Sequence, residues 1–438
     1  MRVFRRVMLG GGIDIDALPD TQKLYYKSTT KIVPSSNYLG APIVANKWDA
    51  TTNEGIIVCS RDITVIPDIA FSGKSSLTNI TIPDSVIVIG HYAFQDCTSL
   101  TSITIPDSVT VIRDDAFTNC SGSLTINSKI IETDYAYNNR PSSRWLCNSK
   151  FTELILGDNI EKIGSNTFYD CKLLTSVAIP DSVTSIGNGA FFGCYSLTSI
   201  YITDLLTWCR IDFSNATANP LNNGKATLDL NGVELVDITI PSNIKAIKSY
   251  VFKGYTSLRS VTIPDSVTSI GNGAFYGCDS LTNLTIGNGV TTIGEETFAN
   301  CSDLTSVTIP DSVTSIGNSA FLQCKSLTNV TIPDSVTSIE YNTFMTCSSL
   351  TSVTIGNGVT SIGKEAFYYC TSMQYYDFST HESIPSLANT GAFFQIPSTC
   401  KIIVPDALYD EWIAATNWSE YASYIIKKSD WDASQTTE

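Results

Sequence analysis

The chain has 438 residues, with 27 Lys and Arg against 42 Asp and Glu, a formal net charge of −15 and no basic block. Such a surface lacks the counterion release that drives nucleic-acid binding, and it repels anionic membrane. Its 43% hydrophobic and 16% charged residues suffice for a core; no apolar run approaches the roughly 18–20 residues that span a bilayer, so no membrane insertion is expected. Only His91 and His381 are available for histidine-dependent nucleophiles or metal centres, which makes both classes unpromising.

Met1–Leu9 (MRVFRRVML) carries the charge of a signal-peptide n-region, yet Gly10, Gly11, Gly12 and Asp14 cut short the apolar stretch that should follow. No secretory signal is expected from it. LYYKSTTKIV and APIVANKW then place β-type residues around turns, so residues 1–54 are expected to end in a strand-rich cap.

From there the sequence repeats. Phe71, Phe94 and Phe117 are 23 residues apart, as are Phe168 and Phe191, and Phe252, Phe275, Phe298, Phe321, Phe344 and Phe367. The two longer gaps, Phe117 to Phe168 and Phe191 to Phe252, each hold one enlarged unit, near 121–150 and 203–235; Trp145 stands where the first gap lacks a Phe. Counting these and a distorted unit at Phe393 gives about fourteen coils, which is the signature of a stacked array.

In the unit LTSVTIPDSVTSIGNSAFLQCKS, Leu304, Val307 and Ile309 alternate with Ser306 and Thr308, the period of a half-buried strand. Pro310-Asp311-Ser312 ends that strand, Val313 and Ile316 form a second short one, and Gly317-Asn318 turns the chain again. Ala320, Phe321 and Cys324 have the spacing of one inward helical turn. Such a coil cannot close its own apolar faces, so neighbours must stack. The expected fold is a parallel β-solenoid with short helical turns over residues 55–400, followed over 401–438 by a strand, an amphipathic capping helix (Leu408, Trp412, Ile413, Trp418, Tyr421) and a polar tail.

Several columns of this stack bear chemistry. Cys97, Cys120, Cys171, Cys194, Cys278, Cys301, Cys324, Cys347 and Cys370 share one register. Neighbours one coil apart could pair as disulfides or share a metal. Lys74, Asn148 and Tyr255 occupy the same register, however, so packed free thiols are the favoured reading. Asp84, Asp107, Asp181, Asp265, Asp311 and Asp334 line one corner, where oxygen ligands for Ca²⁺ and simple turn chemistry are both possible; Asn288, Asn357 and Ser242 at equivalent positions favour the turn. No metal or other cofactor is expected. The outward strand positions, Ser260, Asn283, Ser306, Asn329, Ser352 and Thr262, Thr285, Thr308, Thr331, Thr354, form a hydroxyl and amide field without aromatic or Arg anchors. Sequons at Asn283 and Asn329 fall inside these strands.

The sequence LTSVTIPDSVTSIGNSAFLQC resembles the 23-residue Treponema-type leucine-rich repeat of Bacteroides surface protein A-like (BspA-like) proteins, over about Gly55 to Val404. The resemblance implies a curved solenoid and, for function, a cell-surface adhesin. Asp-Ser-Val also resembles a Bacteroides-type O-glycosylation acceptor.

Departures from the repeat are the places to look for a ligand site. Ile130–Trp145 brings together Tyr135, Tyr137 and Arg140, the candidate binding residues, in an insertion. Asp204–Leu235, with Trp208, Cys209 and Arg210, reads as a structural variant coil. No phosphate-cradling loop, HExxH or GxSxG occurs, so no enzyme is expected. The chain is read as a non-enzymatic binding or adhesion protein of a host-associated bacterium, contacting an extracellular host or bacterial protein or glycan at the surface. A bacteriophage structural or receptor-binding protein is the alternative, and a glycan-active enzyme the less favoured third.

Overall fold

The computed structural model describes residues 14–132, 136–137, 140–141, 146 and 149–436. It is a parallel β-solenoid of about 15 turns with little helix. Two compact units divide it, Met1–Thr207 with Leu228–Gly232, and Trp208–Thr227 with Val233–Glu438.

A regular coil of the second unit shows why the repeat folds. Val330 and Ile332 point inward from the strand Asn329–Ile332 while Asn329 and Thr331 point out. The strand pairs in register with the next coil, Val330 on Val353 and Thr331 on Thr354. Pro333 ends it, and the short strand Ser338–Ile339 stacks on Ser361–Ile362. Threonine hydroxyls reinforce the stack: Thr328 Oγ1 donates to the Thr305 carbonyl at 3.2 Å, and Thr351 to that of Thr328 at 3.0 Å.

The third side carries the aromatic column. Its turns close by i to i+3 bonds, as from Cys347 N–H to the Phe344 carbonyl at 3.2 Å. Left-handed residues, Asn342 (φ 58°) and Thr346 (φ 62°), flank Phe344 and interrupt any helix. They aim alternate N–H groups at the following coil, so Asn342, Phe344 and Thr346 donate to Lys364, Ala366 and Tyr368 at 3.2, 2.8 and 2.7 Å. A third inter-coil ladder thus replaces the expected helical turn, and the rings stack through it: Phe321 and Phe344 have centroids 5.4 Å apart at 1°.

Two local features differ from the plain repeat. In the coil at Leu304 the first strand shrinks to a single bridge between Ser306 and Asn329. The same SVTI sequence is a full strand at Ser260–Ile263 and Ser352–Ile355, so its local residues do not explain the loss. In the first unit Phe151 packs on Phe117 at 6.2 Å, beside the gap in the aromatic column; Trp145 lies outside the described residues.

Different devices finish the ladders. At the N-terminal side, β1 (Lys23–Ser28) runs antiparallel to Leu77–Thr81, β3 (Glu54–Cys59) pairs with β1, and β2 (Ile43–Asp49) pairs with β3 as the edge. A bulge at Ile43–Ala45 and the exposed Lys47 blunt that edge. At the C-terminal side Lys401–Val404 and Ile425–Lys427 extend the ladder past the last Phe. The expected capping helix is broken into Asp406–Leu408, α2 (Tyr409–Ala414) and Ser419–Tyr421, because Ala415 is extended and Asn417 left-handed at φ 64°. Trp412, Trp418 and Tyr421 are nonetheless buried. Asn417 Nδ2 and Trp418 Nε1 donate to the Leu387 and Pro385 carbonyls at 2.8 and 2.7 Å, and the Tyr421 hydroxyl donates to Thr390. Lys428–Gln435 of the expected tail is helical.

Candidate binding faces

The cysteine column is a packing device. Apart from that of the partly buried Cys171, each thiol donates to the main-chain carbonyl of the preceding coil's Phe: Cys97 to Phe71 at 3.1 Å, Cys301 to Phe275 at 3.3 Å, Cys347 to Phe321 at 3.2 Å. These thiols are free and buried. Burial pushes them up, Cys194 to about 12 and Cys301, Cys324, Cys347 and Cys370 well above the ordinary thiol value. Among the described residues no group of three or more His, Cys, Asp or Glu is arranged around a metal position.

The corner aspartates also serve the stack. Asp265 and Asp334 accept the main-chain N–H groups of Asn288 and Asn357, one coil on, at 2.7 and 2.8 Å. The serine beside them is engaged as well: Ser108 and Ser312 donate to the Val86 and Val290 carbonyls at 2.7 Å each. A glycan on that half-buried hydroxyl would break the bond.

Outward strand positions join neighbouring coils only here and there, as where Ser352 Oγ donates to Asn329 Oδ1 at 2.6 Å. In the first unit they form a groove of about 850 Å³ whose lining includes Asn79, Thr81, Ser102, Thr104, Asp84 and Asp107. Asn79 Nδ2 donates to Ser102 Oγ at 3.2 Å across its floor. Further along, the threonine column gives way to Ile155, Ala178 and Tyr201, paired in register. On the turn side of the same coils Tyr169 and Phe192 stack at 5.3 Å, and Leu173 and Tyr195 are exposed. Sequence reasoning missed both groups, although the broken threonine column was a readable signal.

Of the sequence-predicted candidates, Tyr135 lies outside the described residues. Tyr137 and Arg140 face each other as a register pair in a two-stranded antiparallel ladder, Ala136–Tyr137 with Arg140–Pro141. The variant coil is structural at its centre. Trp208 and Cys209 are buried in the short helix α1 (Leu205–Arg210). Trp208 Nε1 and Asn219 Nδ2 donate to the Val251 carbonyl at 3.2 and 3.0 Å, and Asn219 also to Tyr250 at 2.6 Å. In a regular coil the carbonyl equivalent to that of Val251 is met by the preceding Phe N–H, as Thr343 is by Phe321 at 2.9 Å.

The repeat geometry is matched by a family profile described as BspA type leucine-rich repeat region, over residues 64–143, 142–217, 230–351 and 291–411. The chain belongs to the BspA-type leucine-rich repeat family. No curated protein matches this BspA-type chain in sequence. Among solved structures, a leucine-rich repeat protein from Bacteroides ovatus is 27% identical with a TM-score of 0.51, covering 83% of this chain and 90% of that one. A leucine-rich cell surface protein from Faecalibacterium prausnitzii is 29% identical with a TM-score of 0.40, over 68% and 84% of the two chains. One from Eubacterium ventriosum is 22% identical with a TM-score of 0.45, over 72% and 81%. In this BspA-type chain no helix among the described residues is long and apolar enough to cross a membrane.

Proposed function

We propose that this BspA-type chain is a non-enzymatic scaffold that holds an extracellular protein or glycan at a bacterial cell surface. The observation that carries the reading is the division of labour within each coil. Inward residues, corner aspartates, thiols and most threonine hydroxyls hold neighbouring coils together, whereas the outward strand positions add only occasional side-chain bonds, such as Asn79 to Ser102, and can vary at little cost to the stack. Where they do vary, at Ile155, Ala178 and Tyr201, apolar side chains appear on the surface. Family membership supports the scaffold role, and rigid presentation of varied surface residues is what repeat arrays offer a ligand.

The test is a binding screen of the purified full chain against immobilised extracellular-matrix proteins, bacterial surface proteins and glycans, with hydrolysis of each glycan and peptide followed in parallel. Saturable binding without turnover is expected. Turnover at enzymatic rates, or binding to nothing in the panel, would count against the reading.

A further inference from the structure

We propose that the outward face of the strands Lys150–Leu156, Ser176–Ala178 and Ser199–Ile202 holds one arginine or lysine side chain of a protein partner, in a notch floored by Ala178, walled by Ile155 and Tyr201, and rimmed by carboxylates. The proposal rests on the binding-scaffold reading and gives it a ligand chemistry.

The chain supplies its own control. The position taken by these three residues is threonine at Thr81, Thr104 and Thr125 in the first unit and at Thr239, Thr262, Thr285, Thr308, Thr331 and Thr354 in the second. The fold is therefore satisfied by threonine, and stacking does not demand the change. Ile155 pairs with Ala178 and Ala178 with Tyr201. Leu154, Val177 and Ile200 are buried between them, so the three side chains project outward together. Ile155 and Tyr201 are 37% and 41% exposed. Parallel strands lie about 4.8 Å apart, which sets the two walls roughly 10 Å apart over a single methyl group. That slot takes one unbranched aliphatic stem.

Charge decides the head group. Glu153 projects from the same face two residues before Ile155, and Asp158 and Asp181 follow in the corners three residues after Ile155 and Ala178; all three are exposed. Asp181 is held in place, with Thr203 Oγ1 donating to Oδ2 at 2.7 Å and Thr207 Oγ1 to Oδ1 at 3.0 Å. Lys129 and Lys172 are engaged by Glu161 and Asp170 at 3.5 Å each. Lysine and arginine bury their methylene stems on apolar surface while the cation stays at a wet, charged rim, and the Tyr201 ring adds a cation–π partner. A neutral ligand would gain nothing from the carboxylates.

The test uses the full chain with labelled isoleucine methyl groups and the probe acetyl-Gly-Arg-Gly-amide, against the same peptide carrying citrulline. The expected result is a saturable shift of the Ile155 methyl signal with the arginine peptide, at least tenfold weaker with citrulline. It should vanish in Ala178→Thr, which restores the repeat's own residue and so keeps the fold, and weaken in Glu153→Gln. No saturable shift, an equal response to citrulline, or full retention in Ala178→Thr would overturn the proposal. The panel of the previous subsection separates the two readings. If Ala178→Thr keeps all binding there, the scaffold stands and the notch falls; if the panel is empty while the arginine peptide seats, the scaffold reading falls alone.

Discussion

The thiol of Cys324 donates to the main-chain carbonyl of Phe298, one coil back, at 3.2 Å. The same oxygen accepts the Cys301 N–H at 3.2 Å, so the carbonyl's two acceptor sites join successive members of the cysteine column. Desolvation holds Cys324 well above the ordinary thiol value, and only the thiolate reacts readily. In native protein at pH 8, Cys278, Cys301, Cys324, Cys347 and Cys370 should remain unmodified by a thiol reagent for as long as the fold persists, and react fully in guanidinium. Site-by-site mass spectrometry reads this; rapid native labelling of the column would refute it.

Asn219, with Trp208, replaces the main-chain donor that a regular coil would present to Val251. It is 2% exposed and also accepts the Leu221 N–H at 2.8 Å. Truncation in Asn219→Ala leaves the Tyr250 and Val251 carbonyls with one donor each, the Lys253 N–H and Trp208 Nε1, but strips the buried Leu221 N–H of its acceptor, and should cost about 2 kcal/mol. Asn219→Asp should be no better, because a carboxylate would face two carbonyls. Urea midpoints of the three proteins check this, and a shift below about 0.5 kcal/mol for Asn219→Ala would show that Trp208 alone suffices.

Ile69 sits in the left-handed region at φ 54° with its side chain 51% exposed. A β-branched residue there costs roughly 1–2 kcal/mol, and equivalent left-handed positions elsewhere hold Asn166 and Asn342. Ile69→Asn should therefore stabilise the protein by about 1 kcal/mol in thermal or urea unfolding. Its N–H bond to the His91 carbonyl at 2.8 Å is a main-chain bond and survives the change.

The solenoid was legible because its inward residues repeat without regard to the surface: the Phe, Val and Ile columns mark every strand, and Pro310 or Pro333 marks where one ends. The third side was not. An inward Ala320, Phe321 and Cys324 fit a helical turn and the observed string of turns equally well. The left-handed positions that distinguish the two hold Tyr92, Glu296, Thr346 and Tyr369 as readily as Asn, since the inter-coil N–H bonds stabilise a conformation that local preference would not choose. The candidate site was hidden for a different reason. The threonine column read from Thr262 to Thr354 is unbroken, and the apolar interruption at Ile155, Ala178 and Tyr201 lies in the first unit, outside that stretch. The insertion with Tyr137 and Arg140 announced itself by length, whereas the notch changes side chains and leaves the repeat length intact.

His381 gives the C-terminal side a dependence on pH. It is 4% exposed, packed on Phe378 with ring centroids at 5.2 Å and near Trp412 at 6.2 Å. Desolvation lowers its pKa below the ordinary 6.5, against the opposing pull of the Phe378 and Val359 carbonyls and the Asp334 and Asp377 carboxylates. The folded protein therefore binds this proton less readily than the unfolded chain. Its contribution to stability is present above the unfolded value of about 6.5 and is lost as pH falls below it, at up to about 1.4 kcal/mol per pH unit until the folded pKa is reached. Urea midpoints at pH 7.5, 6.5 and 5.5 should fall more steeply for the natural protein than for His381→Phe, with the difference confined to the acid side. Parallel curves for the two proteins would show that the imidazole is reached by water and protonates without unfolding the cap.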